Sequence, residues 1–291
     1  MPSAPGGSND KTARTIEKVI QERRLLSGTL AVVNKPGGGG NIAFAYLNQH
    51  AGDAHYIVIG TPSVLTNHIT GMSALTYADY TPVALLFSEY IVFAVKPDSP
   101  MRTGKDLAAR LKDARSISVA FATTLGNHNH IAAALLTRLA GGDVRALRAV
   151  VFKGSAEATS ALMGGHVDLV TTAAANIEGH IQAGRLRAVG VAAPERLPGA
   201  FAEVPTWKEQ GIALVLGASR SVFAPRGLSA AQSAYWEELF AGIVQSEEWK
   251  QDLRQFFWTG TFLRGEDFRK RLALENAELK STLTELGLAK Q

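Results

Sequence analysis

Ser116-Ile117-Ser118-Val119-Ala120-Phe121-Ala122-Thr123-Thr124-Leu125-Gly126-Asn127 is the stretch that decides the fold. Residues 116–120 make a short apolar run, as a buried strand does, and the run gives way to hydroxyls, a glycine and an asparagine. An alanine- and leucine-rich helix follows, to about Leu139. Strand, polar loop and helix in succession are the repeating unit of α/β folding with largely parallel strands. Working outward, the unit recurs. Strands are expected at 30–33, 56–59, 91–95, 149–152, 167–170 and 186–191, with amphipathic helices between them. One of those helices is capped by Thr103, another stops at Gly164-Gly165. Residues 214–216 and 221–223 read as extended. Past the turn at Pro225-Arg226-Gly227, helices are expected at 229–245, 247–256 and 267–286. Trp236, Leu239, Phe240 and Val244 fall at helical spacing and read as core.

At 291 residues the chain has length enough for two α/β domains of ordinary size. A hydrophobic content of 46% and a charged content of 19% are those of a globular protein. No apolar run approaches the length of a membrane span. The net charge of +4 is spread without a dense Lys/Arg block, which argues against nucleic acid as a partner and fits a protein that meets small anions. The absence of cysteine excludes thiol catalysis, disulfides and Cys-ligated zinc. The chain opens inside a loop, with no export signal in view. We therefore expect a signal peptide and a first strand upstream in the precursor.

That opening loop, Pro5-Gly6-Gly7-Ser8-Asn9-Asp10, feeds an amphipathic helix carrying Ile16, Val19 and Ile20. Ser8, Asn9 and Asp10 are good N-caps, and a glycine loop at a helix N-terminus is a ready anion site. Similar small, hydroxyl-rich loops stand at 60–63, 123–127, 154–155 and 173–176, each between a strand and a helix. Ligands of open α/β sheets bind at that edge. The chemistry these loops carry is backbone donors, hydroxyls and amides, with few nucleophiles or general bases. Gly37-Gly38-Gly39-Gly40 lacks the third glycine of a dinucleotide fingerprint, because position 42 is Ile; there is no phosphate-loop lysine motif and no nucleophile elbow. His128 and His130 lie on different sides of their helix, so neither a metal nor any other cofactor is expected. Asp10 and Glu157, the acids nearest these loops, read as capping or helix-end residues. The constellation suits holding an anion rather than transforming it.

Seven motifs in order resemble one family. They are Ala4-Pro5-Gly6-Gly7-Ser8-Asn9-Asp10, Val33-Asn34-Lys35-Pro36-Gly37-Gly38-Gly39-Gly40-Asn41, Phe152-Lys153-Gly154-Ser155-Ala156-Glu157, Leu162-Met163-Gly164-Gly165-His166-Val167-Asp168, Gln182-Ala183-Gly184-Arg185-Leu186-Arg187, Val204-Pro205-Thr206-Trp207-Lys208-Glu209-Gln210-Gly211 and Phe223-Ala224-Pro225-Arg226-Gly227-Leu228. The chain is similar, over essentially its whole length, to the substrate-binding proteins of tripartite tricarboxylate transporters, the Bug (TctC-like) family. The resemblance implies a two-lobed periplasmic binding protein of the type II architecture, with a ligand cleft that closes between the lobes. Crossings near 97–102 and 217–222 would give one lobe of residues 1–99 plus 222–291 and a second of 100–221. It further implies a monomer that is no enzyme, takes a di- or tricarboxylate or an aromatic acid, and hands it to membrane permease subunits.

Carried over residue by residue, one carboxylate falls to Pro5, Gly6, Gly7, Ser8 and Asn9, with Gly60, Thr61 and Ser63 opposite. The distal end falls to Thr123, Thr124, Asn127, Gly154, Ser155 and Asn176. Where many relatives carry Trp-Arg-Gly, this chain has Ser219-Arg220-Ser221. Arg220 could pair with a carboxylate or brace the hinge, and the small Ser219 implies a roomier or more polar pocket. Two other readings fit the same scaffold: a periplasmic carboxylate sensor docking on a receptor, and an enzyme acting through His128 or Glu157.

Overall fold

The computed structural model describes residues 1–3 and 5–290; Ala4, which opens the first quoted motif, and Gln291, the last residue of the expected first lobe, lie outside the described residues. The helices are α1 (Ser8–Glu22), α2 (Asn41–Asn48), α3 (Ser63–Ile69), α4 (Gly104–Leu111), α5 (His128–Leu139), α6 (Ser155–Met163), α7 (Glu178–Gln182), α8 (Ala230–Val244), α9 (Glu247–Gln255) and α10 (Gly265–Glu285). The strands are β1 (Val58–Gly60), β2 (Thr81–Val95), β3 (Ser118–Ala122), β4 (Arg148–Phe152), β5 (Leu169–Ala173), β6 (Arg187–Val191), β7 (Gly217–Ala224) and β8 (Thr259–Arg264). The chain divides into two compact units, Met1–Ser88 with Ser219–Thr282 and Ala289–Gln291, and Glu89–Ala218 with Leu283–Leu288.

The first unit is built on antiparallel pairs. β1 runs against β7, with Val58 opposite Phe223, and the first half of β2 runs against β8, with Leu85 opposite Leu263. Its core gathers Ile16, Val19, Phe87, Val222, Phe240 and Trp249. Phe87 stacks on Trp258 at 4.1 Å. Helix α1 contributes Ala13, Ile16, Val19 and Ile20 to this core, while Arg14 and Lys18 on its other face stay exposed. Such a stripe at three- and four-residue spacing is what makes a short helix stable in a protein, since propensity alone does not.

The second unit carries the parallel ladder. β3 pairs in parallel with β4 on one side and β5 on the other, and β5 runs antiparallel to the far half of β2. β6 also pairs antiparallel with β2. Phe93, Leu107, Phe121, Leu136 and Trp207 form the core, all fully buried. Each such side chain contributes about 1.5–3 kcal/mol through burial. Helices α4 and α5 supply Leu107, Leu111, Ala132, Ala133 and Leu136 to it. Thr103 caps α4 as its sequence requires, in a reciprocal pair with Asp106.

Several expectations need correction. The strands are not largely parallel: among the described strand pairs, parallel ladders join only β3 to β4 and β5, beside an isolated parallel bridge between Val191 and Thr206. Residues 30–33 form no strand, because among the described bonds this stretch meets only Met1, whose amino group donates to Val33 O and whose carbonyl accepts from Lys35 N–H. The strand expected at 91–95 begins at Thr81, since the polar Ser88-Glu89-Tyr90 interrupts the apolar run without interrupting the strand. Glu89 is only 2% exposed within it. The units accordingly divide inside β2, between Ser88 and Glu89, while the breaker at 97–102 is the turn after it. β8 gave no signal, because Thr259-Gly260-Thr261 lacks an apolar alternation and is exposed.

Gly60 closes β1 where a side chain would have no room: a Cβ would collide with the Phe223 ring and stand 2.8 Å from Ser221 Oγ. Gly60→Ala should cost about 1–3 kcal/mol by overpacking, read as a lower urea midpoint at unchanged slope. Gly179→Ala in α7, where a Cβ meets nothing within 4 Å, is the control, and should change stability by less than about 1 kcal/mol.

Candidate functional site

In the second unit, β5, β3 and β4 lie side by side and deliver three loops to one sheet edge. The loop after β3 holds Thr123, Thr124 and Asn127; that after β4 holds Gly154 and Ser155; that after β5 holds Asn176. The loops touch one another. Thr123 N–H donates to Phe152 O at 2.8 Å. Asn176 Nδ2 donates to Ser155 Oγ at 3.3 Å and to Thr172 Oγ1 at 3.1 Å. The structure thus brings the six second-unit residues singled out from sequence together on one edge, and adds Thr172.

Their chemical availability differs. Asn127 is 2% exposed and its amide is spent. Its Nδ2 donates to Ala122 O at 2.5 Å and Thr123 Oγ1 at 2.7 Å, and its Oδ1 accepts the His130 N–H at 2.9 Å, capping α5. Thr124 Oγ1 is buried with no hydrogen-bond partner. Gly154 is the N-cap of α6, with no side-chain cap bond and open space where a Cβ would stand. The first amides of α6 thus have no N-cap side chain, and the one carboxylate of that turn, Glu157, is engaged just upstream of them. Glu157 behaves as a brace, accepting Lys153 N–H at 3.1 Å.

His130, which the sequence does not single out for ligand contact, packs beside the 123–127 loop. It is 4% exposed, its ring lies 5.1 Å from the Phe121 ring, and its Nδ1 accepts the Gly126 N–H at 2.9 Å. That amide makes Nδ1 the unprotonated nitrogen, and burial pushes the imidazole pKa down to about 4. The signal in sequence was a histidine four residues past a glycine, a spacing that also suits ordinary helix packing.

In the first unit the opening loop is stitched differently from its sequence reading. The N-cap of α1 is Gly7, without a side-chain cap bond, so neither Ser8, Asn9 nor Asp10 caps the helix. Asp10, in the first turn, reaches back instead: its Oδ2 accepts Gly6 N–H at 2.9 Å and its Oδ1 accepts Asn34 Nδ2 at 2.9 Å. Burial works to raise the Asp10 pKa, but Gly6 N–H, the Asn34 amide and the Arg14 charge together hold it below the usual carboxylate range. A built-in carboxylate thus already occupies the Gly6 amide, beside the exposed Pro5. An anion at this loop would have to do without the Gly6 amide.

Thr61 and Ser63 are nearly buried at the start of α3, where Thr61 Oγ1 accepts Ser63 N–H at 3.2 Å. Asn67, one turn on, donates to Gly39 O at 3.1 Å and Asn41 Oδ1 at 2.8 Å, tying down the four-glycine loop. Arg220 sits in β7 at 2% exposure, with Nη1 donating to Ser219 O at 3.3 Å. Ser219 Oγ donates to Glu275 Oε1 at 3.0 Å, and burial raises the Glu275 pKa against the lowering effects of Ser219 and Arg271. Among the described residues no group of three His, Asp or Glu side chains could hold a metal, and no helix is long and apolar enough to cross a membrane.

The profile described as "Tripartite tricarboxylate transporter family receptor" (TctC) matches residues 13–233. Protein BugT of Bordetella pertussis (strain Tohama I) is 30% identical over 239 residues, which span 78% of this chain and 69% of BugT. Among solved structures, the periplasmic binding protein BugD superposes with a TM-score of 0.88 at 23% identity, covering 100% of this chain and 97% of that one. R. palustris Rpa4515 with adipate gives a TM-score of 0.87 at 24% identity, covering 99% and 96%. Fold and profile together are those of two-lobed α/β periplasmic binding proteins.

The buried imidazole has a consequence for stability. Its native pKa is about 4 against an ordinary 6.5, so between those values the unfolded chain binds a proton that the native fold refuses. Stability is fully present above about 6.5 and falls as the pH drops toward 4, by about 2–3 kcal/mol from this group. Urea unfolding at pH 7 and pH 4.5 should show that component in the wild type and not in His130→Phe.

Proposed function

The chain belongs to the tripartite tricarboxylate transporter receptor family, and from that membership we propose that it is an extracytoplasmic solute-binding protein for a small dicarboxylate. It captures the acid in the periplasm and hands it to the permease subunits of such a transporter. The observation that carries the reading is the edge where β5, β3 and β4 deliver their loops. It offers an uncapped helix N-terminus at Gly154, a buried unpartnered hydroxyl at Thr124 and the linked Ser155, Asn176 and Thr172, all without a fixed counter-charge in their bonding. Neutral donors of this kind hold a carboxylate reversibly, as a carrier requires. Rpa4515, with adipate, is a fold relative that makes a straight-chain dicarboxylate the first ligand to try.

We assign anion-holding roles to both sets of residues carried over from sequence. In the first unit these are Pro5, Gly6, Gly7, Ser8 and Asn9 with Gly60, Thr61 and Ser63; Asp10 limits the first of these loops to the amides beyond Gly6. In the second unit they are Thr123, Thr124, Asn127, Gly154, Ser155 and Asn176, with Asn127 acting through the loop shape it fixes. Buried Arg220 is assigned a supporting role in β7.

Calorimetry and thermal shift against adipate, succinate, malate, citrate and benzoate test the reading. At least one dicarboxylate should bind and raise the melting temperature; a panel with no ligand would overturn it. Gly154→Val is the sharper lesion. A Cβ there meets nothing within 4 Å, so folding should change by less than about 1 kcal/mol, while binding should fall at least about tenfold as the branched side chain covers the helix N-terminus. Undiminished affinity in that variant would remove the α6 N-terminus from the site.

A further inference from the structure

We propose that His130 is a positioning residue of the candidate site, whose ring Nδ1 holds the loop 123–127 in the shape that presents Thr123 and Thr124 to a ligand. The ligand half of this assignment rests on the carboxylate-binding reading; the loop half does not.

The loop has little backbone pairing of its own and is closed by side chains. Thr123 N–H reaches across to Phe152 O. Asn127 draws Ala122 O and Thr123 Oγ1 inward, and His130 takes the Gly126 N–H. His130 is bound to the loop twice, through its own N–H to Asn127 and through its ring to Gly126. The ring itself is fixed against Phe121, two residues before the loop begins.

What this closure restrains is strain. Thr123 has φ +79° and Gly126 φ +78°. A glycine tolerates that value, whereas a β-branched residue resists it at an energetic cost. Gly126 is buried, so without the imidazole its N–H would lose the acceptor it has here, a further penalty. Both penalties are relieved together if the loop lets Thr123 return to negative φ. That rotation carries the next residue with it. Thr124 Oγ1, buried and without a protein partner here, is the group whose direction would change. The unsatisfied hydroxyl and the strained residue are adjacent, and one acceptor nitrogen maintains both.

Two variants of the full chain separate acceptor from filler. His130→Phe keeps the aromatic contact with Phe121 and deletes the acceptor. His130→Asn keeps an oxygen near the Nδ1 position and deletes the ring. We expect amide exchange at Gly126 to accelerate at least about tenfold in the Phe variant and to stay near wild type in the Asn variant. Adipate affinity, by calorimetry, should follow the same order, with about a tenfold loss in the Phe variant. The opposite order, with Phe benign and Asn harmful in both readouts, would make His130 a packing residue and overturn the proposal. If wild type does not bind adipate, that blank counts against the carboxylate reading, and the exchange pattern still decides whether the acceptor holds the loop. If both variants unfold, wild type alone decides: a Gly126 amide that exchanges as fast as an exposed loop amide refutes the assignment, and a protected one upholds it.

Discussion

Parallel pairing of β3 with β4 and β5 is the constraint on which the rest of the site depends. Parallel neighbours must all leave the sheet on the same side, and each must return by a crossover long enough to hold a helix. Three strand ends and the N-termini of α5 and α6 therefore collect at one edge. Nothing in the individual loops brings them together; the ladder does. Once they are together, their unpaired amides and hydroxyls face a common problem, which is finding partners without a side-chain cation in the bonding network. Asn127 solves it for α5 by capping. At Gly154 of α6 no side chain does so.

The two units handle the same chemistry in different ways. In the first, the glycine loop before α1 meets an internal carboxylate, Asp10, which is fixed by Gly6 and Asn34. An internal anion makes the loop rigid and at the same time lowers its appetite for an external one. In the second, the loop after β3 is held by neutral groups only: a threonine, an asparagine and an unprotonated histidine. Neutral clamps hold shape without adding charge at this loop; the carboxylate of the neighbouring loop, Glu157, sits at α6 and accepts Lys153 N–H.

Much of this was legible in the sequence, and what was not has definite causes. The strand-end loops could be read because glycine, hydroxyl and amide residues after an apolar run are local signals. The length of β2 could not, because Ser88-Glu89-Tyr90 is polar and yet buried or half-buried, a tertiary override of pattern. β8 escaped because half of its residues face solvent and Gly260 breaks its alternation. The extended look of 30–33 was sound as a propensity, but a strand needs a ladder, and propensity cannot supply a partner. Within the candidate site, the bonding of Asn127 was not legible: an asparagine before a helix can cap it or face a ligand, and the three bonds of its amide show that here it caps α5 and ties the loop. His130 and Asp10 each take a backbone amide four residues away, and Asp10 also takes the side-chain amide of Asn34, contacts that leave no compositional trace.

The way the chain is shared between the units sets an order of events during synthesis. Apart from residues 283–288, the second unit is one uninterrupted segment, and its ladder can form while the ribosome is still adding the last third of the chain. The first unit cannot close so early. β1 lacks its partner until β7 emerges, and the first half of β2 waits longer still for β8. Until then Val58, Ile59 and Leu85, all nearly fully buried in the finished fold, are exposed apolar surface. The segment that is made first, Met1–Ser88, thus belongs to the unit that closes last, and during that interval its open strand edges are where the nascent chain is most exposed to aggregation.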